Sequence, residues 1–343
     1  MKILSVGPAA YFSVWDVFKG QTAGLRANGV KVYEFDYGKR LRVFMEFLTW
    51  AARRKKTVEG SAEKLYTMAG ESIYVTAKAL EVDLVWMNSP LHIHSLILHL
   101  LRRDGVRIAG YMSEAPYEDE RWLVRAPLFD YCFINDPVSL DHWREVNPQT
   151  YYLPHAFDPE RHHLNGHVEK DFDVMFIGTG FPSRRKFFEK VDWTGITAKF
   201  AGYWPKVPTK TKLRPYLEFR VVDNAEAVEL YQRSRIGLQL HRVDTYYAGG
   251  HQIDAGSAYS LGPRSYELAA CGVFQLSDKR PELTEVFGDS VPTFSTPAEL
   301  EEKVRYYLAN PGEREEMAQR QREAVQPCTF ANRMKDVLDI IAT

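Results

Sequence analysis

Cysteine is scarce in this chain: only Cys132, Cys271 and Cys328 occur, odd in number and far apart. That excludes a disulfide framework and fits a reduced, cytoplasmic protein. Long hydrophobic runs are missing too. Nothing approaches the roughly 18 apolar residues of a membrane span, and the run after Met1 is too short for a signal sequence. A transmembrane segment and secretion are therefore not expected. Neither sign of charge dominates, with 44 Lys and Arg against 45 Asp and Glu and a pI near 6.8. A global polyanion binder is excluded, so contact with DNA or a membrane surface would need a local patch. The first apolar run is not followed by G-x-G-x-x-G, which disfavours a dinucleotide redox cofactor. No cofactor, repeat or low-complexity tract is expected.

What is present is the material of a folded α/β protein. With 343 residues, 45% hydrophobic and 26% charged, the chain is long enough for two lobes. Residues 2–6 read as a buried strand closed by Gly7-Pro8, and 15–25 as a helix, which is how a Rossmann-like lobe begins. The loop between them carries Tyr11, Phe12, Trp15 and Asp16, aromatic faces beside a carboxylate; Tyr11 and Trp15 are candidates to bind an acceptor. Residues 39–56 form a basic amphipathic helix, with Lys39, Arg40 and Arg42 at one end and Arg53, Arg54, Lys55 and Lys56 at the other. Such a helix suits an anionic membrane surface or phosphates. Strands at 83–88 and 107–111 bring Asn88, His92, His94 and Glu114 to the carboxyl ends of a sheet, where open α/β folds bind ligands. Asp16, His94 and Glu114 are the candidates for a general base.

Pro154 to Pro159 and the run His162, His163, His167 read as an exposed connector, taken as a hinge. The lobes are expected at 1–155 and 156–325, with 326–343 a terminal helix. The second lobe opens with a strand at 173–177 that runs into Gly178-Thr-Gly180, followed by Arg184 and Lys186. A glycine turn at the start of a helix lets backbone N–H groups approach phosphate oxygens, and the basic side chains add charge. Asp223-Asn-Ala-Glu226 is a capping box, and the strand after that helix ends at His241, at the carboxyl edge of the sheet. Residues 244–259 have no periodicity and read as a long loop.

Gly262 to Asp278 completes the pattern. A Gly-Pro turn enters a short helix, which breaks at Gly272 before an apolar strand. The helix start points unpaired N–H groups forward beside Arg264, an arrangement suited to a diphosphate. Glu267, one turn on, can accept two ribose hydroxyls. The residues Arg264-Ser-Tyr266-Glu267-Leu-Ala-Ala-Cys-Gly272, with Glu282-Leu283 and Phe287-Gly288-Asp289 behind them, resemble the donor-nucleotide segment of group 1 glycosyltransferases, most of all the CgeB-like spore-protein branch. The resemblance runs from about Asp173 to the C-terminus. It implies a GT-B fold, two Rossmann-like lobes with the donor cleft between them and the sugar nucleotide held mainly by the second. It also implies donor contacts at Gly178, Gly180, Arg184, Lys186, His241, Gly262, Arg264, Tyr266 and Glu267. The wider group carries a Glu eight residues before the Glu267 position; here it is Tyr259.

The expected activity is hexosyl transfer from a nucleotide diphosphate donor, a UDP-sugar by resemblance, to an acceptor that the sequence leaves open: a hydroxylated base in DNA, a glycan or a protein. No Asp-x-Asp motif of the kind that holds a cation is evident, and no metal site is expected. Two other classes share the fold: a nucleotide-sugar epimerase and a non-catalytic GT-B-like binding or structural protein.

Overall fold

The computed structural model describes residues 1–9, 13–54, 62–166, 168–204, 207–208, 210–244 and 258–342. It divides into two compact units, Met1–Pro154 with Phe330–Thr343, and His155–Thr329.

The first unit alternates strands and helices: β1 (Lys2–Val6), α1 (Ser13–Ala27), β2 (Lys31–Phe35), α2 (Tyr37–Arg53), α3 (Ala62–Leu80), β3 (Leu84–Asn88), α4 (Ser95–Arg103), β4 (Arg107–Met112), α5 (Asp119–Leu123), β5 (Tyr131–Ile134), α6 (Leu140–Val146) and β6 (Thr150–Tyr152). All six strands pair in parallel in the order β2-β1-β3-β4-β5-β6. A parallel sheet is covered on both faces, so its strands are apolar nearly throughout, as in β3, where all five residues are buried. The 19-residue helix α3 had no expectation attached to it, although Leu65, Ala69, Ile73 and Ala77 recur at helical spacing and are buried in the core.

The second unit repeats the design with β7 (Phe172–Ile177), α7 (Pro182–Phe188), β8 (Ala198–Ala201), β9 (Leu217–Glu218), α8 (Asn224–Gln232), β10 (Ser234–Gln239), α9 (Pro263–Ala270), β11 (Phe274–Asp278), α10 (Pro281–Phe287), β12 (Thr293–Phe294), α11 (Pro297–Ala309) and α12 (Pro311–Val325). Its sheet is again wholly parallel, in the order β12-β11-β10-β7-β8-β9. Asp223 and Thr296 cap α8 and α11 by accepting the N–H groups of Glu226 and Glu299.

The last helix, α13 (Phe330–Ala342), belongs to the first unit and lies along α1. Gly20 and Gly24, four apart on one face of α1, make this approach feasible. A Cβ at Gly20 would overlap the Phe330 ring, and one at Gly24 would stand 2.5 Å from the Phe330 carbonyl oxygen. Asn28 ties the two helices by donating from Nδ2 to the carbonyls of Gly24 and Ala331, each at 2.8 Å.

The connector differs from the exposed hinge the sequence suggests. His155 and His162 are buried. The His162 N–H donates to the Asp158 carbonyl at 2.7 Å, and its Nδ1 accepts the Asp158 N–H at 3.2 Å. Histidine runs look hydrophilic, but an imidazole that closes a turn on its own backbone can be packed away. His163 is exposed, and His167 lies outside the described residues.

Candidate functional site

In the second sheet the chain adds β7, β8 and β9 in one direction and β10, β11 and β12 in the other. The order reverses between β7 and β10, and the crevice outside the strand ends there is the expected ligand position in such a sheet. Arg184 fills that position. It is 8% exposed, donates from Nε to the Leu240 carbonyl at 2.7 Å and from a terminal nitrogen to the Thr179 carbonyl at 3.0 Å, and its guanidinium lies over the rings of Phe176 and Phe181. The loops after β7 and β10 are thus laced together by one arginine.

The glycine turn of that corner is also internally committed. The N–H of Gly178 donates to the Ala201 carbonyl at 2.9 Å and that of Gly180 to the Tyr203 carbonyl at 2.8 Å. A Cβ at Gly180 would fall within the Trp204 ring, so the second glycine is required by packing. The Asp244 carboxylate closes the first turn of α7, accepting from the Ser183 hydroxyl and from its N–H at 3.4 Å. Lys186 is exposed, whereas Arg184 is buried, and two residues apart on a helix they point to different sides. The first of the two expected phosphate corners is therefore occupied by the protein's own groups. The backbone pattern G-x-G could not reveal this, because the filling carboxylate arrives from 61 residues away.

The second corner is open. Gly262 precedes α9 with extended backbone, and among the described residues no side chain caps the helix and a Cβ built on Gly262 would meet nothing within 4 Å. Half-buried Arg264 makes no hydrogen bond or ion pair among the described residues. Glu267, 9% exposed, accepts the Tyr231 hydroxyl on Oε2 at 3.2 Å, and its Oε1 has no hydrogen-bond partner among the described residues. Burial, then the neighbouring Glu267 carboxylate, pushes the Tyr231 phenol well above its ordinary value, so it stays a donor. Tyr266 requires a correction. It is fully buried, and its hydroxyl donates to Glu282 Oε1 at 2.7 Å, so it packs the interior of the unit and is unavailable to a ligand. Successive helix residues face different directions, which is why Arg264 and Glu267 can share a surface that Tyr266 does not.

His241 stands just past the end of β10 and is 8% exposed. Its N–H and its Nδ1 both bond Asp278 Oδ1, at 2.9 and 2.6 Å, and its buried Nε2 has no partner among the described residues. Burial alone would raise the Asp278 carboxyl, but the His241 ring and N–H, with Arg280 beyond, outweigh it and hold the group below the usual carboxylate range. Arg280 was not singled out from the sequence. It is 6% exposed and donates to the carbonyls of Arg242 at 3.1 Å and Ala258 at 2.8 Å. These carbonyls stand on either side of the 245–257 stretch, which falls outside the described residues. Tyr259 is half-buried, and its carbonyl accepts the Glu282 N–H at 3.3 Å.

In the first unit the strand order reverses between β1 and β3. Glu114 is half-buried just beyond β4, and its carbonyl accepts the N–H groups of Tyr117 and Glu118. Half-buried Asp16 lies in the first turn of α1, while His94 caps α4, its Nδ1 accepting the Leu96 N–H at 3.2 Å. The cap engages one ring nitrogen of His94, which narrows its use as a base to Nε2. Trp15 packs against Phe18 with Lys19 over its ring; Tyr11 lies outside the described residues. The expected absence of an Asp-x-Asp motif needs a correction, because Asp171-Phe172-Asp173 has that spacing. It stands at the amino end of β7, opposite the ligand edge, where Asp171 pairs with Arg233 and Asp173 with Arg235.

A family model described as glycosyl transferase-like matches residues 184–339. Spore protein CgeB of Bacillus subtilis (strain 168) is 23% identical over 240 residues, covering 67% of this chain and 74% of that protein. Among solved structures, an alpha-glucosyltransferase in complex with UDP and a 13-mer DNA containing an HMU base superimposes with a TM-score of 0.68 at 14% identity over 100% of both chains. HepE of Anabaena in complex with UDP-glucose does so with a TM-score of 0.64 at 12% identity, covering 100% of this chain and 99% of that one.

Proposed function

We propose that this chain, a CgeB-like glycosyltransferase of the GT-B fold, moves a hexosyl group from a UDP-sugar to a hydroxyl acceptor and holds the donor nucleotide in its second unit. The observation that carries the reading is the contrast between the two helix starts. The α7 corner is closed by Asp244 and Arg184, whereas the α9 corner presents an uncapped helix start with Arg264 and Glu267 holding unused polar atoms.

In the transfer the bond from the anomeric carbon to the diphosphate oxygen breaks, and one to the acceptor oxygen forms. Negative charge grows on the leaving diphosphate, and Arg264 with the N–H groups at the start of α9 is suited to stabilise it. Glu267, steadied by Tyr231, is suited to accept from the ribose hydroxyls through its remaining oxygen. With Nδ1 engaged by Asp278, Nε2 is the ring atom left to meet a donor-sugar hydroxyl. Glu114 is our assignment for the group that takes the acceptor proton. The UDP and UDP-glucose complexes of the two structures compared above support the donor class.

Calorimetric titration with UDP tests the nucleotide site. Glu267→Ala and Arg264→Ala should each weaken binding by about 1–3 kcal/mol, the range for losing a buried or charged hydrogen bond. Unchanged affinity in both variants would move the site elsewhere. Labelled UDP-glucose incubated without acceptor separates the reaction classes: slow release of free sugar fits a transferase, and an altered sugar nucleotide would show an epimerase.

A further inference from the structure

We propose that the outer face of α2 is a docking surface for a membrane leaflet bearing anionic lipid. The helix is amphipathic in an unusual sense, because it carries apolar side chains on two sides. One side, with Tyr37, Leu41 and Ala51, is buried in the first unit. On another, Val43, Phe47 and Trp50 follow at i, i+4 and i+7 and are 56%, 50% and 40% exposed. Contiguous exposed apolar groups of this size call for a partner.

The charges say which kind. Lys39 and Arg40 stand at one end of the stripe and Arg54 at the other, with Arg42 and Arg53 alongside, all exposed, against one acid on the helix, Glu46. This strongly basic surface belongs to a chain whose net charge is −1. Phe47 and Trp50 stack at 5.9 Å between ring centroids, and the Arg54 guanidinium sits 4.7 Å from the Trp50 ring. Nucleic acid would satisfy the cations but leave three apolar side chains in water. A bilayer surface satisfies both, with the apolar stripe among the upper acyl carbons, the indole at the boundary and the cations among anionic headgroups.

The test is flotation of the full chain with vesicles of phosphatidylcholine alone and of phosphatidylcholine with phosphatidylglycerol. The intact protein should bind the anionic vesicles and scarcely the neutral ones. Val43→Ser with Phe47→Ser and Trp50→Ser should lower partitioning on the order of tenfold or more, since both apolar area and the interfacial indole are lost. Lys39→Ser with Arg40→Ser and Arg54→Ser should abolish the preference for anionic lipid. Far-UV circular dichroism confirms that each variant is folded, which these exposed positions favour. Absence of binding to anionic vesicles at low salt would overturn the proposal. So would binding indifferent to the apolar substitutions, a duplex 13-mer DNA bound in place of vesicles, or a self-association that Phe47→Ser dissolves.

Discussion

His241 and Asp278 are joined twice through a single oxygen: the backbone N–H and the ring Nδ1 of His241 both meet Asp278 Oδ1, at 2.9 and 2.6 Å. One bond fixes where the backbone leaves β10, and the other fixes which way the ring faces. The unpartnered Nε2 is thereby aimed by a residue of the neighbouring strand β11. Asp278→Asn should leave the ring in place but weaken the charge-assisted bond, by about 1.5–3 kcal/mol. Turnover of UDP-sugar should fall by a corresponding one to two orders of magnitude, while UDP binding, which we propose rests on Arg264 and Glu267, changes little. Equal losses in UDP affinity and turnover would show that Asp278 supports the fold alone.

Gly180 and Gly262, one at each helix start of the second unit, should respond in opposite ways to the same substitution. Gly180→Ala places a methyl group inside the Trp204 ring and should destabilise the second unit by about 1–3 kcal/mol, the cost of overpacking. Gly262→Ala meets nothing within 4 Å among the described residues and should leave the melting temperature unchanged. If the diphosphate approaches α9 closely, the Gly262 variant should nonetheless bind UDP more weakly. Thermal unfolding read beside UDP calorimetry separates the two effects, and a destabilised Gly262→Ala would contradict the open corner.

The alternation of apolar strands with amphipathic helices was legible from the chain, and the strand β1 begins and ends where its pattern does. The placement of Arg264 and Glu267 on one helix was legible because it is local, three residues apart. What escaped was non-local. Asp244 reaching α7, Arg280 joining the carbonyls of Arg242 and Ala258, and Glu282 taking the Tyr266 hydroxyl each depend on residues brought together only by the folded sheet. Tyr266 was misassigned for that reason, since an aromatic beside two residues proposed to meet a ligand looks available until its neighbours across the sheet are known. Gly20 and Gly24 carried a readable signal, small residues four apart, whose partner α13 lies some 300 positions on.

Tyr231 offers a test of how Glu267 is held. Tyr231→Phe removes the hydroxyl that donates to Glu267 Oε2 and leaves the ring in the core. UDP affinity should drop by about 0.5–1.5 kcal/mol, the net worth of one hydrogen bond. The sugar moiety should not matter, so UDP and UDP-glucose should lose equally. A loss confined to UDP-glucose would place Glu267 against the sugar in place of the ribose.

His155, buried at the start of the second unit, predicts a pH dependence of stability. Burial lowers its pKa from the ordinary 6.5 to about 4. Because the folded state holds the ring neutral, the unfolded chain binds more protons between those two values, and stability must fall as the pH drops from about 6.5 to about 4. Above 6.5 neither state is protonated and His155 contributes no slope; below 4 both are, and the slope vanishes again. The full loss amounts to about 3 kcal/mol at 1.36 kcal/mol per pH unit. Urea unfolding of the wild type and of His155→Gln across pH 4–7 isolates this group, because the carboxylates that titrate in the same window are common to both proteins. The difference in unfolding free energy between them should move by about 3 kcal/mol in favour of the variant as the pH falls, whatever its value at pH 7. Parallel curves would mean that His155 takes up its proton without leaving the folded state.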